Sequence, residues 1–402
     1  MTKGALGALA LLLVLCPGAP AAEDWKARAA RLQKSAIVVD THEDVPEQLE
    51  KEWVDIGTRQ KTGHVDIPRW KEGGVTAPFL AAYVSAGYAA SGTAAKKALE
   101  FIDLIHRLAE AHPDLRFADS VAGIRAAKAD GKIAVLVGIE GGHTIEDSLG
   151  ALSAFYRLGA RYMTLTHTNT NHWADSAGSF FTFGFDPKKP AVHNGLTDFG
   201  RQVVLEMNRL GMLVDVSHVS EQTMADVLAV SKAPVFASHS SCRALCSLPR
   251  NMTDDMLRAL ARNGGVVGIN FSGGFLNQKE ADEDLKTIHR IGATEPNLTG
   301  KALDDYTAKM HIHDDWAHPK PTVATLADAV AHVDHAIKVA GIDHVGIGSD
   351  FDGISEVPKG LEDESKMPAL TAELLKKGYS EGDIKKIMGE NFLRVMRQVI
   401  GR

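Results

Sequence analysis

A (β/α)8 barrel of the TIM type is the fold this sequence predicts, and three observations predict it. Short β-rich runs alternate with stretches whose apolar residues recur at helical spacing, about eight such units in all. The runs are nearly continuously apolar, as in a parallel sheet covered by helices on its outside. No glycine-rich phosphate fingerprint follows the first run, which places the doubly wound open sheet second to the barrel.

The elements follow in order. The opening "MTKGALGALALLLVLCPGAPAAEDW" carries Lys3, an apolar stretch from about Ala5 to Leu15, small residues, and a switch to charge at Glu23. This pattern predicts a secretory signal peptide over 1–22, cleaved near Ala21 or Ala22. The apolar run is short for a membrane span. Leu15 is bulkier than the residue that usually precedes a lipid-modified cysteine, so anchoring through Cys16 is not expected. Residues 23–402 then read as one exported domain, periplasmic or secreted, and the end "FLRVMRQVIGR" reads as an amphipathic helix with no anchor tail.

Within that domain the predicted strands are "AIVVDTH", "VTAPFLAAYV", "KIAVLVGIEGG", "ARYMTLTHT", "MLVDVSH", "APVFASHS", "GVVGINF" and "HVGIGSDF". Between them lie helical patterns such as "AAKKALEFIDLIHRLAEAH", "LTDFGRQVVLEMNRLG" and "TLADAVAHVDHAIKVAG". Gly159, Gly211 and Gly341 sit where helix C-caps are expected. One stretch breaks the rhythm. From about Asn277 to Pro321 the chain is charged and reads as an insertion between the seventh and eighth units, with His311, His313 and His318 as surface residues.

Composition narrows the function. The chain is 45% hydrophobic and 24% charged with a net charge of −7, ordinary for a globular protein and without the basic excess that nucleic acid calls for. Beyond the leader only Cys242 and Cys246 remain, which is no disulfide framework; they could bridge locally or be two small buried residues. The 17 histidines invite a search for metal ligands.

That search succeeds at the strand ends, where barrels of this type place their reactive groups. His42 and Asp44 lie two apart at the end of the first strand, so extended chain aims them to one side. The third strand ends in Glu140, the fourth in His167, the fifth in His218, the sixth in His239 and the eighth in Asp350. Any one of these could be an ordinary turn residue. Together they would load one barrel mouth with ionisable groups, which is costly without a cation. The donors are N and O only, which suits Zn²⁺, with Mn²⁺, Co²⁺ or Fe²⁺ as alternatives. They exceed one tetrahedral shell and divide into two clusters sharing a carboxylate. "GHVDIP" repeats the His-x-Asp pattern with His64 and Asp66 but precedes the second strand, so it is read as structural. His143 belongs to the turn after Glu140 and is left out of the ligand set. His172, Trp173 and Asp175 line the pocket or shape its loop.

These pieces resemble the membrane (renal) dipeptidase family of the amidohydrolase superfamily. The resemblance runs from about Ile37 to Val395 outside the insertion and is carried by "DTHEDVP", "HVDIPRWKEGGV", "GIEGGHTIEDSLGALSAFYRLGARYMTLTHT", "SHSSCRALCSLPRNMTDDML" and "HVGIGSDFDGISEVPKGLEDESK". It implies two zinc ions per chain, a dipeptide substrate, and attack by a hydroxide bridging the metals. His42 and Asp44 would bind the first zinc, Glu140 would bridge, and His218 and His239 would complete the second. His167 would polarise the substrate, Arg250 would grip its C-terminal carboxylate, and Asp350 would shuttle the proton. The family tolerates either hand at the C-terminal residue. Between His42 and Asp44 the family often has Asn where this chain has Glu43; alternation aims it away from the metals, so little effect is expected. No partner beyond a dipeptide is implied, and a homodimer is compatible. Two rivals are kept. One is another binuclear amidohydrolase acting on β-lactams, lactones or N-acyl amino acids, for which Arg250 would be unnecessary. The other is a binding protein or zinc-holding scaffold, which would have no use for His167 and Asp350.

Overall fold

The computed structural model describes residues 24–51, 53–178, 191–294 and 322–401, the last eight residues before 295 by backbone alone. The expected leader, the loop at 179–190 and most of the expected insertion, with its three histidines, lie outside the described residues.

Among the described residues nine strands form: β1 (Val39–Glu43), β2 (Ala77–Tyr83), β3 (Leu115–Phe117), β4 (Ile133–Glu140), β5 (Ala160–Thr164), β6 (Leu213–Asp215), β7 (Phe236–Ser240), β8 (Val266–Ile269) and β9 (Val345–Ile347). Eight of them run parallel in the order β1-β2-β4-β5-β6-β7-β8-β9, and β3 hangs off β4. The short β3 is the one strand that the alternating pattern did not foretell. The ring closes near its C-terminal end, where Asp350 N–H donates to His42 O at 3.0 Å and Asp44 N–H donates to Phe351 O at 2.9 Å. The eight sequence-predicted strands are thus the eight staves of a nearly closed barrel.

Helices at Ala94–Ala111, Leu149–Arg157, Asp198–Leu210, Glu221–Val230, Asp254–Arg262 and Leu326–Ala340 occupy the stretches with helical spacing. Capping explains their starts. Ser148, Thr197, Ser220 and Thr253 each accept a backbone N–H of the first turn through the side-chain oxygen. Gly211 ends its helix in left-handed backbone (φ 80°), a conformation open to glycine without strain. In the stretch read as an insertion, backbone from Gln278 to Thr294 is helical.

The barrel floor is aromatic. The rings of Phe79, Tyr162, Phe236 and Phe392 meet in a closed cycle, with centroids 5.3, 5.3, 5.4 and 5.2 Å apart in turn. Three rise from strands and the fourth from the C-terminal helix Asn391–Ile400, which plugs the barrel from below. All four are buried. Gly138 on β4 makes room for them, because a Cβ there would run into the Tyr162 ring. This packed floor is the base on which the mouth is built.

Among the described residues no helix is long and apolar enough to cross a membrane. Cys242 and Cys246 are both buried free thiols. Their sulfurs contact His332 O at 3.4 Å and Gly274 O at 3.3 Å respectively, so each packs against a different segment.

Candidate metal centre

The strand-end residues come together around one carboxylate. Glu140, at the tip of β4, turns Oε2 to His42 Nε2 at 3.2 Å. Its other oxygen, Oε1, lies 3.1 Å from His218 Nε2 and 3.4 Å from His239 Nε2. Asp44 Oδ2 is 3.4 Å from His42 Nε2, and Asp350 Oδ1 is 4.0 Å from the same nitrogen. His167 Nε2 approaches Glu140 Oε1 at 3.8 Å. All seven residues foreseen from strand-end position therefore share one site.

Several features fit a cation. His218 Nε2 and His239 Nε2 point at each other across 2.8 Å. His42 Nε2 and Asp44 Oδ2 are buried with no hydrogen-bond partner. Buried polar atoms left in this way are costly unless something binds them. The donors are imidazole nitrogens and carboxylate oxygens, the set that divalent transition metals take. Three sets of possible ligands overlap here, His42–Glu140–His239, Glu140–His167–His218 and His42–Asp44–Asp350.

The far sides of the imidazoles are held too. His42 Nδ1 meets the Tyr162 hydroxyl at 2.7 Å. For Nε2 to offer its lone pair, Nδ1 carries the proton and donates it to the phenol oxygen. His239 Nδ1 meets Ser238 Oγ at 2.7 Å, and that hydroxyl donates to Asp215 Oδ2 at 2.6 Å. Asp215 also accepts from Thr164 Oγ1 at 2.6 Å, so one buried carboxylate at the end of β6 braces three strands.

Electrostatics reflect the crowding. Burial would raise Glu140, but His42, His167 and bonds from His218 and His239 hold it well below the usual carboxylate range. Burial would lower His42, but Tyr162, Glu140 and Asp44 outweigh it and keep it well above its usual value. Burial pushes His167 down to about 4 and Asp350 up to about 6. His218 (φ 66°) and Asp350 (φ 65°) hold left-handed backbone, uncommon for non-glycine residues and typical of functional positions.

Arg250 reaches the same place from the loop after β7. The residue is 4% exposed, and its guanidinium donates from Nη2 to His239 O at 2.6 Å and from Nη1 to Ser240 Oγ at 2.7 Å and leaves Nε without a partner. Burial lowers it to about 10.

Three residues that sequence reading passed over complete the mouth. Asn270, just past β8, donates from Nδ2 to Asp350 Oδ2 at 2.7 Å. Tyr83, the last residue of β2, sets its ring edge-on to His167 at 4.8 Å. Tyr162 rises from the floor. Asn270 and Tyr83 stand at strand ends, so the positional rule that found the histidines would have found them; a search limited to ionisable ligands did not.

The other candidates lie outside the centre. Asp66 accepts Arg69 N–H at 2.7 Å as a helix N-cap. His64 and Asp352 brace each other, with His64 N–H donating to Asp352 Oδ1 at 2.6 Å and Asp352 N–H to His64 Nδ1 at 3.1 Å. His143 Nε2 donates to Val84 O at 2.9 Å. His172 faces solvent and pairs with Asp147 at 2.7 Å, while Trp173 and Asp175 are buried. Asp175 accepts the N–H groups of Val192, His193 and Gly195, so these residues shape the loop.

The sequence profile of the membrane dipeptidase family, peptidase family M19, matches residues 26–400. Dipeptidase 3 of Homo sapiens is 36% identical over 388 residues, 95% of this chain and 69% of that protein. Among solved structures, a probable dipeptidase of Pseudomonas aeruginosa superimposes with a TM-score of 0.79 at 26% identity, covering 94% of this chain and 98% of the other. A metallopeptidase of Rhodobacter sphaeroides, liganded with a phosphinate mimic of the dipeptide L-Ala-D-Ala, gives a TM-score of 0.71 at 27% identity, covering 91% and 100%.

Proposed function

Because the chain belongs to the membrane dipeptidase family and is a metallo-dipeptidase, we propose that it cleaves dipeptides with two zinc ions, one held by His42, Asp44 and Glu140 and the other by Glu140, His218 and His239. The observation that carries this reading is the division of Glu140, one oxygen toward His42 and the other toward the His218–His239 pair. A single carboxylate between two imidazole groups is the arrangement a shared ligand needs. When bound, the two ions would lower the pKa of a water held between them and polarise the scissile carbonyl.

The remaining groups belong to this chain. His167 and Asp350 have side chains 18% and 13% exposed, against 8% or less for the other strand-end groups of the centre, so substrate meets them first. With Thr168 Oγ1 donating to His167 Nδ1 across 3.2 Å, the Nε2 proton faces the site and can hold the oxygen that gains charge. Asp350 takes the proton released by the attacking water and delivers it to the departing amine, with Asn270 fixing its orientation. Arg250, already anchored on the β7 tip, turns its remaining N–H groups to the substrate's free carboxylate and limits substrates to short peptides. The Rhodobacter neighbour's dipeptide mimic supports that substrate class. The protein works outside the cytoplasm after loss of residues 1–22, and the segment after Asn277 shapes substrate preference.

Elemental analysis joined to a substrate screen tests this. Enzyme with two zinc ions should hydrolyse dipeptides and leave dipeptide amides, lactones, β-lactams and N-acyl amino acids largely intact. Preference for a substrate lacking the free α-carboxylate would overturn the dipeptidase reading in favour of another amidohydrolase.

A further inference from the structure

A second group of possible ligands lies beside the first. Asp40 and Glu43 belong to β1, and Glu364 comes from the 3-10 turn Glu364–Lys366. Ligand oxygens of the three lie within 4.8 Å of one another, and all three residues are fully buried. Strict alternation would put Asp40 and Glu43 on opposite faces. The pairing of β1 with β2 slips between these two residues, and the irregularity brings them together.

Two of the carboxylates have donors of their own. Asp40 Oδ1 accepts His42 N–H at 3.1 Å and Ser349 N–H at 2.9 Å. Glu43 accepts the Trp70 indole N–H at 2.9 Å. Glu364 is different. Neither of its oxygens, nor Asp40 Oδ2 on the facing carboxylate, receives an N–H or hydroxyl donor, and the groups within hydrogen-bonding reach of Glu364 are the Asp40 and Glu43 carboxyls themselves. Among the described residues no basic side chain pairs with any of the three. One proton on Glu364, shared with its neighbours, would still leave two buried carboxylates with hydrogen-bond donors but no positive charge beside them.

We propose that Asp40, Glu43 and Glu364 form a third cation site, distinct from the His-rich centre and selective for a hard divalent ion of the calcium class. Three carboxylates with no nitrogen or sulfur suit Ca²⁺, Mg²⁺ or Mn²⁺ and not zinc. The site is closed to solvent. Mg²⁺ keeps several waters, whereas Ca²⁺ can take both oxygens of each carboxylate, so the closed geometry favours Ca²⁺. Such an ion would tie β1, which carries His42 and Asp44, to the Glu364 turn and to the helix of Trp70.

Three measurements on the full enzyme, loaded with zinc to fill the His-rich centre, test the site. Elemental analysis of undialysed protein should find about one calcium-class ion per chain beyond the transition metals. After chelation and zinc reloading, CaCl2 should raise Tm, with MgCl2 less effective. Tb³⁺ added in place of Ca²⁺ should luminesce on tryptophan excitation, because Trp70 contacts Glu43, and the signal should be lost in Glu364→Gln and in Trp70→Phe. Absence of the extra ion together with a Tm indifferent to calcium would overturn the proposal and leave protons as the compensation. Terbium emission unchanged in Glu364→Gln would also overturn it. If the variants do not fold, the ion count and calcium response of the unmodified enzyme decide.

Discussion

The hydroxyl of Tyr162 stands 2.7 Å from Nδ1 of His42 and joins the aromatic floor of the barrel to the metal centre at its mouth. The same ring that packs between Phe79 and Phe236 fixes the tautomer of a candidate ligand. Tyr162→Phe keeps the ring and removes only the oxygen. It should weaken the ion on the His42–Asp44 side by about 10- to 100-fold, the usual effect of losing such a partner, and spare the ion on the His218–His239 side. Competition with a chelator that releases the two ions in separate steps checks this. Identical release curves for variant and wild type would show that Tyr162 merely fills space.

Glu140 faces both imidazole groups, so Glu140→Ala should cost both ions together. Elemental analysis after gel filtration reads the outcome. A variant that still retained two ions per chain would rule out the shared ligand.

Asp350→Asn should leave metal content intact, because the residue stands at 4.0 Å from His42 Nε2 and is held by Asn270. Its kcat should fall by roughly 10²-fold or more, the scale of lost acid–base help. Turnover near the wild-type rate would remove Asp350 from the proton path.

Arg250 has two jobs in this reading, bracing the β7 tip and holding the substrate carboxylate. Arg250→Ala should lower kcat/KM for a dipeptide by about 2–4 kcal/mol. The dipeptide amide, already poor, should change little, and Lys should rescue in part because it lacks the planar fork. Equal losses on both substrates would mean that Arg250 serves only His239 O and Ser240.

Away from the centre, His332 offers a pH test. It is buried, accepts Cys242 N–H at Nδ1 (3.0 Å) and donates from Nε2 to Leu276 O (3.1 Å). Burial pushes it down to about 4. The unfolded chain binds this proton near pH 6.5 and the folded chain only near 4. Stability from this group is therefore complete above about pH 6.5 and lost progressively as pH falls toward 4, by roughly 3 kcal/mol in total. His332→Gln should show a flatter fall in Tm between pH 7 and 5 than wild type. Parallel curves would show that the imidazole takes its proton at the same pH in the folded and the unfolded chain.

The sequence by itself determined the barrel and much of its mouth. Strand–helix alternation and apolar runs depend on near neighbours in the chain, so they are legible one segment at a time. His42, Asp44, Glu140, His167, His218, His239 and Asp350 could be read together because all of them stand at strand ends and parallel staves bring those ends to one rim. Only the tertiary structure decided which groups support them. Tyr162 looks like an ordinary aromatic strand residue, and its role appears when the floor directs its hydroxyl at His42. Asn270 has no charge to draw notice until it meets Asp350. Asp40, Glu43 and Glu364 became one cluster through a slip in β1 pairing and a turn more than 300 residues later in the chain. Such contacts arise from the closure and packing of the barrel, and no local pattern records where packing will bring two distant side chains.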